Sequence, residues 1–308
     1  MSALVGYLQD YLAARRALGV KLVGAELRLR RFVEFMDRRG ATRVTYPLAL
    51  EWAMRPPATH PTWALRFTDV RGFTRYLHTR DSRNELMPWR VLAFPHRAKP
   101  YIYTQAEITR LLEAALALPP VTALRRFTYH TLFGLLAATG MRIGEILTLK
   151  RSDVDLGQGI ITIRETKFGK TRLVPLHRTT RGALTRYAER RDAHIRPPRS
   201  DYFFVAERGG RLLHAFVWRV FILLSRQLGL RAKTAHRGPR LHDFRHRFAV
   251  QTLVNGYRAG ESVEHLLPAL STYLGHACVR DTYWYLSACP ELMGHAVRRL
   301  ERHLGATP

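Results

Sequence analysis

Acidic residues are scarce in this sequence: 24 Asp and Glu stand against 50 Lys and Arg in 308 residues, a formal net charge of +26. That excess is larger than solubility requires and points to a polyanionic partner. Long apolar runs are missing too. The longest, around Leu132 to Ala138, falls far short of the roughly 20 residues a membrane-spanning helix needs, which favours nucleic acid over a lipid surface and predicts no membrane partner. Two cysteines, Cys278 and Cys289, are too few for a disulfide framework or a two-pair zinc site, and they read as reduced packing residues. The N-terminal stretch places Gln9 and Asp10 where a signal peptide has its apolar core, so an intracellular, cytoplasmic chain is expected. Neither a Walker-type glycine-rich loop nor a carboxylate cluster suited to paired magnesium ions is present, so no cofactor and no metal is expected. Lysine is rare as well, at positions 21, 99, 150, 167, 170 and 233 only, and nearly all the positive charge is arginine.

What is present divides in two. Leu4, Tyr7, Leu8, Tyr11 and Leu12 recur at helical spacing, as do Leu29, Phe32, Val33 and Met36. Gly19, Gly40 and the Pro56-Pro57 pair punctuate them, and a further basic helix is expected over 62–77. Prolines 88, 95 and 100 then break any periodicity among Arg90, Arg97 and Lys99, as in an extended linker. Thr104 followed three residues later by Glu107 has the pattern of a capping box opening an apolar helix. The expected organisation is a basic helical unit at 1–95, a linker at 96–103 and a second domain at 104–308. In the second domain, Ile161 and Ile163 alternate with Thr162 and Arg164, the chain turns at Phe168-Gly169, and Leu173-Val174 returns, a β-hairpin in an otherwise helical region.

Four segments have residues able to do chemistry, and each has a plainer reading. Arg142 follows Gly140 in an apolar block with Glu145 one turn on; it is either a buried guanidinium facing a site or one half of a surface ion pair. Lys167 and Lys170 share the hairpin turn. An ammonium can give up a proton where a guanidinium cannot, although basic turns are commonly just solvated. In RLHDFRHRF, a helix would put His242 and Arg245 on one face with Phe244 and Phe248 toward the core, or would simply be a basic face. Finally, His276 follows Gly275 and precedes Tyr283, Trp284 and Tyr285, a run that also suits an aromatic core helix.

Order and spacing carry more than any one segment. Together they resemble the tyrosine recombinase, or phage integrase, family over about residues 104 to 290. That family's signature of Arg, hairpin Lys, His-x-x-Arg, a second His and a Tyr nine residues later falls on Arg142, Lys167, His242, Arg245, His276 and Tyr285. "ATGMRIGEILTLKRSDVD", "LHDFRHRFA", "KTRLVPL" and "LSTYLGHACVRDTYWY" look like the family's local motifs. Lys170 is the alternative to Lys167, and Phe244 stands where an aliphatic residue is more usual. Tyr283 also lies near the nucleophile position, but two residues along a helix is about 200° of rotation, and spacing selects Tyr285.

The resemblance implies a mainly α fold with a small β-sheet or hairpin in the catalytic domain, in a two-domain clamp with a helical core-binding domain. It implies a 3′-phosphotyrosyl intermediate on Tyr285, with Arg142 and Arg245 clamping the phosphate, His242 taking the phenol proton, Lys167 protonating the departing 5′-oxygen and His276 donating a hydrogen bond. It implies double-stranded DNA at specific recombination sites as partner, a homo-tetramer, and neither ATP nor metal. Leu292 to Leu304 would be either the helix that reaches a neighbour or an ordinary terminal helix. The segment from Leu274 to Leu292 looks more like recombinases of mobile elements, with integration, excision or transposition as the task. A type IB topoisomerase or telomere resolvase is the nearest alternative; a catalytically silent DNA-binding protein of the same fold and an RNA-binding protein are more distant ones.

Overall fold

The computed structural model describes residues 3–56, 60–94, 99–164, 171–235, 237–276, and the single residues 278, 280, 282, 294, 297 and 301. They fall into two compact units, Met1–Ala98 and Lys99–Pro308.

Helices α1 (Ala3–Ala17), α2 (Val23–Arg38), α3 (Tyr46–Met54) and α4 (His60–His78) make the first unit. The expected apolar stripes are the buried ones: Leu4, Leu8 and Leu12 of α1 and Leu29, Phe32, Val33 and Met36 of α2 meet Phe67, Val70, Phe73 and Leu77 of α4. Each such side chain contributes roughly 1.5–3 kcal/mol by leaving water. Helix α3, which sequence periodicity did not reveal, is opened by Pro47 in its first turn and adds Trp52, packed edge-on against Phe32 with ring centroids 5.1 Å apart. Gly40 ends α2 at φ 61°, a conformation that glycine adopts without strain.

The second unit contains α5 (Gln105–Leu116), α6 (Leu124–Thr139), α7 (Ile143–Thr148), the strands β1 (Val154–Asp155), β2 (Ile160–Ile163) and β3 (Arg172–Pro175), then α8 (Arg178–His194), α9 (His214–Gln227), α10 (Asp243–Arg258) and α11 (Val263–Leu274). Helix α5 opens with the expected capping box: Thr104 Oγ1 accepts from the Glu107 N–H at 3.2 Å and Glu107 Oε2 from the Thr104 N–H at 2.7 Å. Tyr103, in the stretch expected as linker, is buried in this unit with its ring stacked 4.7 Å from Phe244.

The antiparallel sheet has the order β1-β2-β3, one short strand more than the hairpin read from sequence. Its register pairs Ile161 with Val174 and Ile163 with Arg172. Ile161, Ile163 and Val174 face the core with Leu132, Phe133, Phe221 and Phe244, while Leu173 points to solvent. Strand alternation therefore turns Arg172 inward with Val174. A second apolar layer, Ala249, Leu253, Leu267 and Leu270, joins α10 to α11.

Candidate active site

Two helix ends and one strand converge. Helix α6 stops at Gly140, φ 60°, where an added Cβ would lie 2.7 Å from the Phe248 ring, so both the backbone angle and the close packing call for glycine. The turn delivers Arg142 to the start of α7. Helix α11 stops in a Schellman turn: the Gly275 N–H donates to Thr272 O and the His276 N–H to Ser271 O, each at 3.0 Å, with Gly275 at φ 67°.

That turn satisfies the carbonyls of residues 271 and 272 and leaves the next three to other donors. Each accepts from an arginine. Arg172 Nε donates to Tyr273 O at 2.9 Å, Arg245 Nη2 to Leu274 O at 2.6 Å and Arg142 Nη2 to Gly275 O at 3.1 Å. The negative end of a helix suits cations, and planar guanidiniums suit a row of carbonyl oxygens. Arg245 also donates through Nη1 to Gly140 O at 3.0 Å, joining the two helix ends.

Glu145 fixes the other side of the cluster. Its Oε2 accepts from the Arg142 N–H at 2.9 Å and from Arg172 Nη2 at 2.7 Å; its Oε1 accepts from Arg142 Nη1 at 2.8 Å and Arg172 Nη1 at 3.0 Å. Burial works against the carboxylate charge, but the bonds from Arg172 and Arg142 outweigh it and hold its pKa below the usual range. Glu145 is thus shared between two guanidiniums, Arg142 and Arg172.

His242 is the N-cap of α10, its ring edge-on to His246 with centroids 4.7 Å apart. Part of the ring is open to solvent, yet the packing around it still strips water from a protonated form. Burial is the main cause of a pKa lowered to about 4; Arg245 lowers it further, Asp243 opposes, and Arg142 and Arg240 add to the repulsion. The ring is therefore unprotonated at neutral pH and able to accept a proton. His276 Nδ1 lies 2.8 Å from Thr282 Oγ1.

Four of the expected residues, Arg142, His242, Arg245 and His276, are thus gathered at one place. Lys167, its alternative Lys170, Tyr285 and Tyr283 lie outside the described residues, as does most of the stretch from Leu292 to Leu304. Of the two readings of Arg142, the ion pair is the one observed: its side chain is 34% exposed and bonded to Glu145 at 2.8 Å, and the buried guanidinium is that of Arg245, 1% exposed. Phe244 reaches the core, but Phe248 is only half-buried, stacked on Tyr273 at 5.4 Å. Cys278 is exposed and not a packing residue. Arg172 was not anticipated, although its strand neighbours carry the signal, since a position two residues before the inward Val174 must also face inward.

Among the described residues no group of three or more His, Cys, Asp or Glu is placed to hold a metal ion, and no helix is long and apolar enough to cross a membrane. The sequence profile of the phage integrase family matches residues 102–291. Over 308 residues the chain is 47% identical to the integrase/recombinase-like protein y4rB of Sinorhizobium fredii, covering 98% of each chain. It is 28% identical over 300 residues to the tyrosine recombinase XerD of Listeria monocytogenes, covering 92% of this chain and 94% of that one. The Tn1549 transposon integrase, solved in complex with transposon right end DNA, shares the fold with a TM-score of 0.65 at 18% identity, over 97% of this chain and 99% of that one.

Proposed function

The chain belongs to the phage integrase family, the tyrosine recombinases, and from that premise we propose that it cuts and rejoins double-stranded DNA at specific sites through a 3′-phosphotyrosyl link to Tyr285. The observation that supports this reading best is the row of arginines at the end of α11. Charge builds on the nonbridging oxygens of a phosphodiester as it is attacked, and fixed donors aimed at that charge are the main catalytic requirement. Arg142 and Arg245 are held by backbone carbonyls at 3.1 and 2.6 Å, so their positions are set before DNA arrives.

In this mechanism the Tyr285 oxygen attacks phosphorus, the new phosphotyrosine bond forms and the bond to the 5′-oxygen breaks. A phenol with an ordinary pKa of about 10 needs a base as it attacks. His242, proton-free in the DNA-free protein, takes that proton, and the negative phosphate seated between Arg142 and Arg245 offsets their repulsion and strengthens it as a base. Lys167 protonates the leaving 5′-oxygen, and His276 donates a hydrogen bond to the phosphate. Resealing by the 5′-hydroxyl of a partner strand runs the same steps backwards.

The basic first unit acts in this reading as the core-binding domain, holding the duplex in a two-domain clamp. The working assembly is a tetramer on two duplexes in the cytoplasm, and its task is integration, excision or transposition of a mobile element. Tyr285→Phe is expected to abolish covalent protein–DNA adducts while leaving DNA affinity nearly intact. An adduct that persists moves the nucleophile to Tyr283. Relaxation of supercoils without strand exchange between sites replaces the recombinase reading with a topoisomerase one.

A further inference from the structure

The three arginines at the end of α11 differ in what they can offer a ligand. About a third of the Arg142 side chain is open to solvent, while Arg172 is 11% exposed and each of its three nitrogens already has a protein acceptor. Exposure does not decide the role, since Arg245 is only 1% exposed; what sets Arg172 apart is that its whole fork is taken up by Glu145 and the Tyr273 carbonyl. These partners are the two groups that set the site: the Glu145 carboxylate that also holds Arg142, and the Tyr273 carbonyl, two residues before the Gly275 carbonyl to which Arg142 donates. An added Cβ on Gly275 would stand 2.9 Å from Arg172 Nη1, so the turn and the guanidinium are fitted to each other.

We propose that Arg172 is a positioning residue for DNA cleavage, setting Arg142 through Glu145 and the Gly275–His276 turn through the Tyr273 carbonyl without touching the phosphate. The inference rests on the reading of Arg142 as a phosphate ligand. Two physical effects carry it. The geometric one is that a forked guanidinium bridging a carboxylate and a carbonyl fixes strand β3, Glu145 and the end of α11 in one arrangement. The electrostatic one is that Glu145 shared between two arginines leaves a net positive charge, whereas Glu145 facing Arg142 alone neutralises it and draws it away from Gly275. Arginine rather than lysine is needed, because one ammonium cannot span both acceptor groups with a planar fork.

The test is the rate of adduct formation in a single turnover on three substrates differing only at the scissile position: a normal phosphate, an uncharged methylphosphonate and a bridging 5′-phosphorothiolate whose sulfur leaves without protonation. Arg172→Met is expected to slow adduct formation on the normal phosphate roughly ten- to a hundredfold, the scale on which small misplacements act, with DNA affinity unchanged. Arg172→Lys, which keeps the charge and spares the fold, is expected to fall between Met and the native residue. The uncharged linkage needs less of the clamp and should narrow the gap for Arg172→Met as it does for Arg142→Ala. The phosphorothiolate should rescue Lys167→Ala but neither arginine variant. An equal loss on all three substrates reduces Arg172 to a structural role and overturns the proposal; rescue by the phosphorothiolate overturns it too, by moving Arg172 to the leaving-group side. Wild-type cleavage by Arg142→Ala instead overturns the reading of Arg142, and this inference with it.

Discussion

The two units of this chain use arginine in opposite ways. In the first, arginine stays at or near the surface: Arg30 and Arg16 pair with Glu26, Arg39 with Glu51, Arg28 with Asp69, and Arg71 lies over Trp89 with 3.7 Å from its central carbon to a ring centroid. Its buried polar side chains among the described residues are Thr74 and Asn84, neither of them charged. The second unit buries Arg191, Arg231 and Arg245 together with Asp243 and His246. Desolvating a guanidinium is costly and is tolerated only where fixed acceptors replace water. Arg191 meets that need with the Asp192 carboxylate and the Phe203 carbonyl, each at 2.8 Å. Arg245 donates to the carbonyls of Gly140 and Leu274 at 3.0 and 2.6 Å, and so ties two helix ends together. Among the described residues, buried guanidiniums thus belong to the second unit, and the one at the site is the one that joins two helix ends.

The largest test of this difference is Arg245→Met. It leaves two buried carbonyls without donors and an imperfectly filled space, and about 3 to 5 kcal/mol of stability should be lost. Arg39→Met in the first unit should stay within about 0.5 kcal/mol. Denaturant unfolding of both variants measures the contrast, and a loss below about 1 kcal/mol for Arg245→Met would break it. Next in size is a matched pair of glycines. Gly40 and Gly140 end helices at φ 61° and 60°, but only Gly140 faces a ring within 4 Å. Gly40→Ala should cost about 1 kcal/mol from the left-handed backbone alone, and Gly140→Ala about 2 to 3 kcal/mol because Phe248 must also move. Equal losses would mean that the packing at the site is as forgiving as the packing at an ordinary cap.

A smaller effect separates the units by pH. His242 is lowered to about 4 from an ordinary 6.5, so the unfolded chain binds its proton first as pH falls. The second unit should therefore lose stability between about pH 6.5 and 4, with no further loss from this group below that. In the first unit, Asp81 is held down to about 2 by hydrogen bonds from the Arg83 side chain and backbone. Its contribution is present above the ordinary 3.8 and is lost only as pH falls from there toward 2. On acidification, limited proteolysis should cut the second unit first, and His242→Gln should flatten the upper window while leaving the lower one in place. Cleavage starting in the first unit would reverse the assignment.

How much of this was legible in sequence follows from the same contrast. The first unit's stripes could be read because solvent-exposed helices must alternate polar and apolar faces; α3 was missed because YPLALEWAM is apolar nearly all round. The second unit's capping box and strands were local patterns and could be read as such. Arg142, His242, Arg245 and His276 could be named because their spacing resembles a family, and no physical rule would have selected them one by one. Which arginine is buried could not be read, because burial of Arg245 depends on Gly140 and Leu274, which are 105 and 29 residues away in the chain. The row of carbonyls at 273 to 275 exists only once α11 has ended and its Schellman turn has taken the two before it.

The smallest expected effect tests the surface half of the comparison. Trp89 is 67% exposed and its partner Arg71 lies against one ring face, a geometry in which a cation–π contact contributes about 0.5 to 1 kcal/mol. Trp89→Leu keeps apolar contact with the arginine stem but removes the aromatic quadrupole, so unfolding should shift by no more than that amount. Arg71→Met removes the cation instead, and because both variants delete one shared contact, the double variant should cost little more than either single one. A loss approaching that of Arg245→Met would show that the first unit too depends on a fixed guanidinium, and the distinction between the units would then rest on exposure alone.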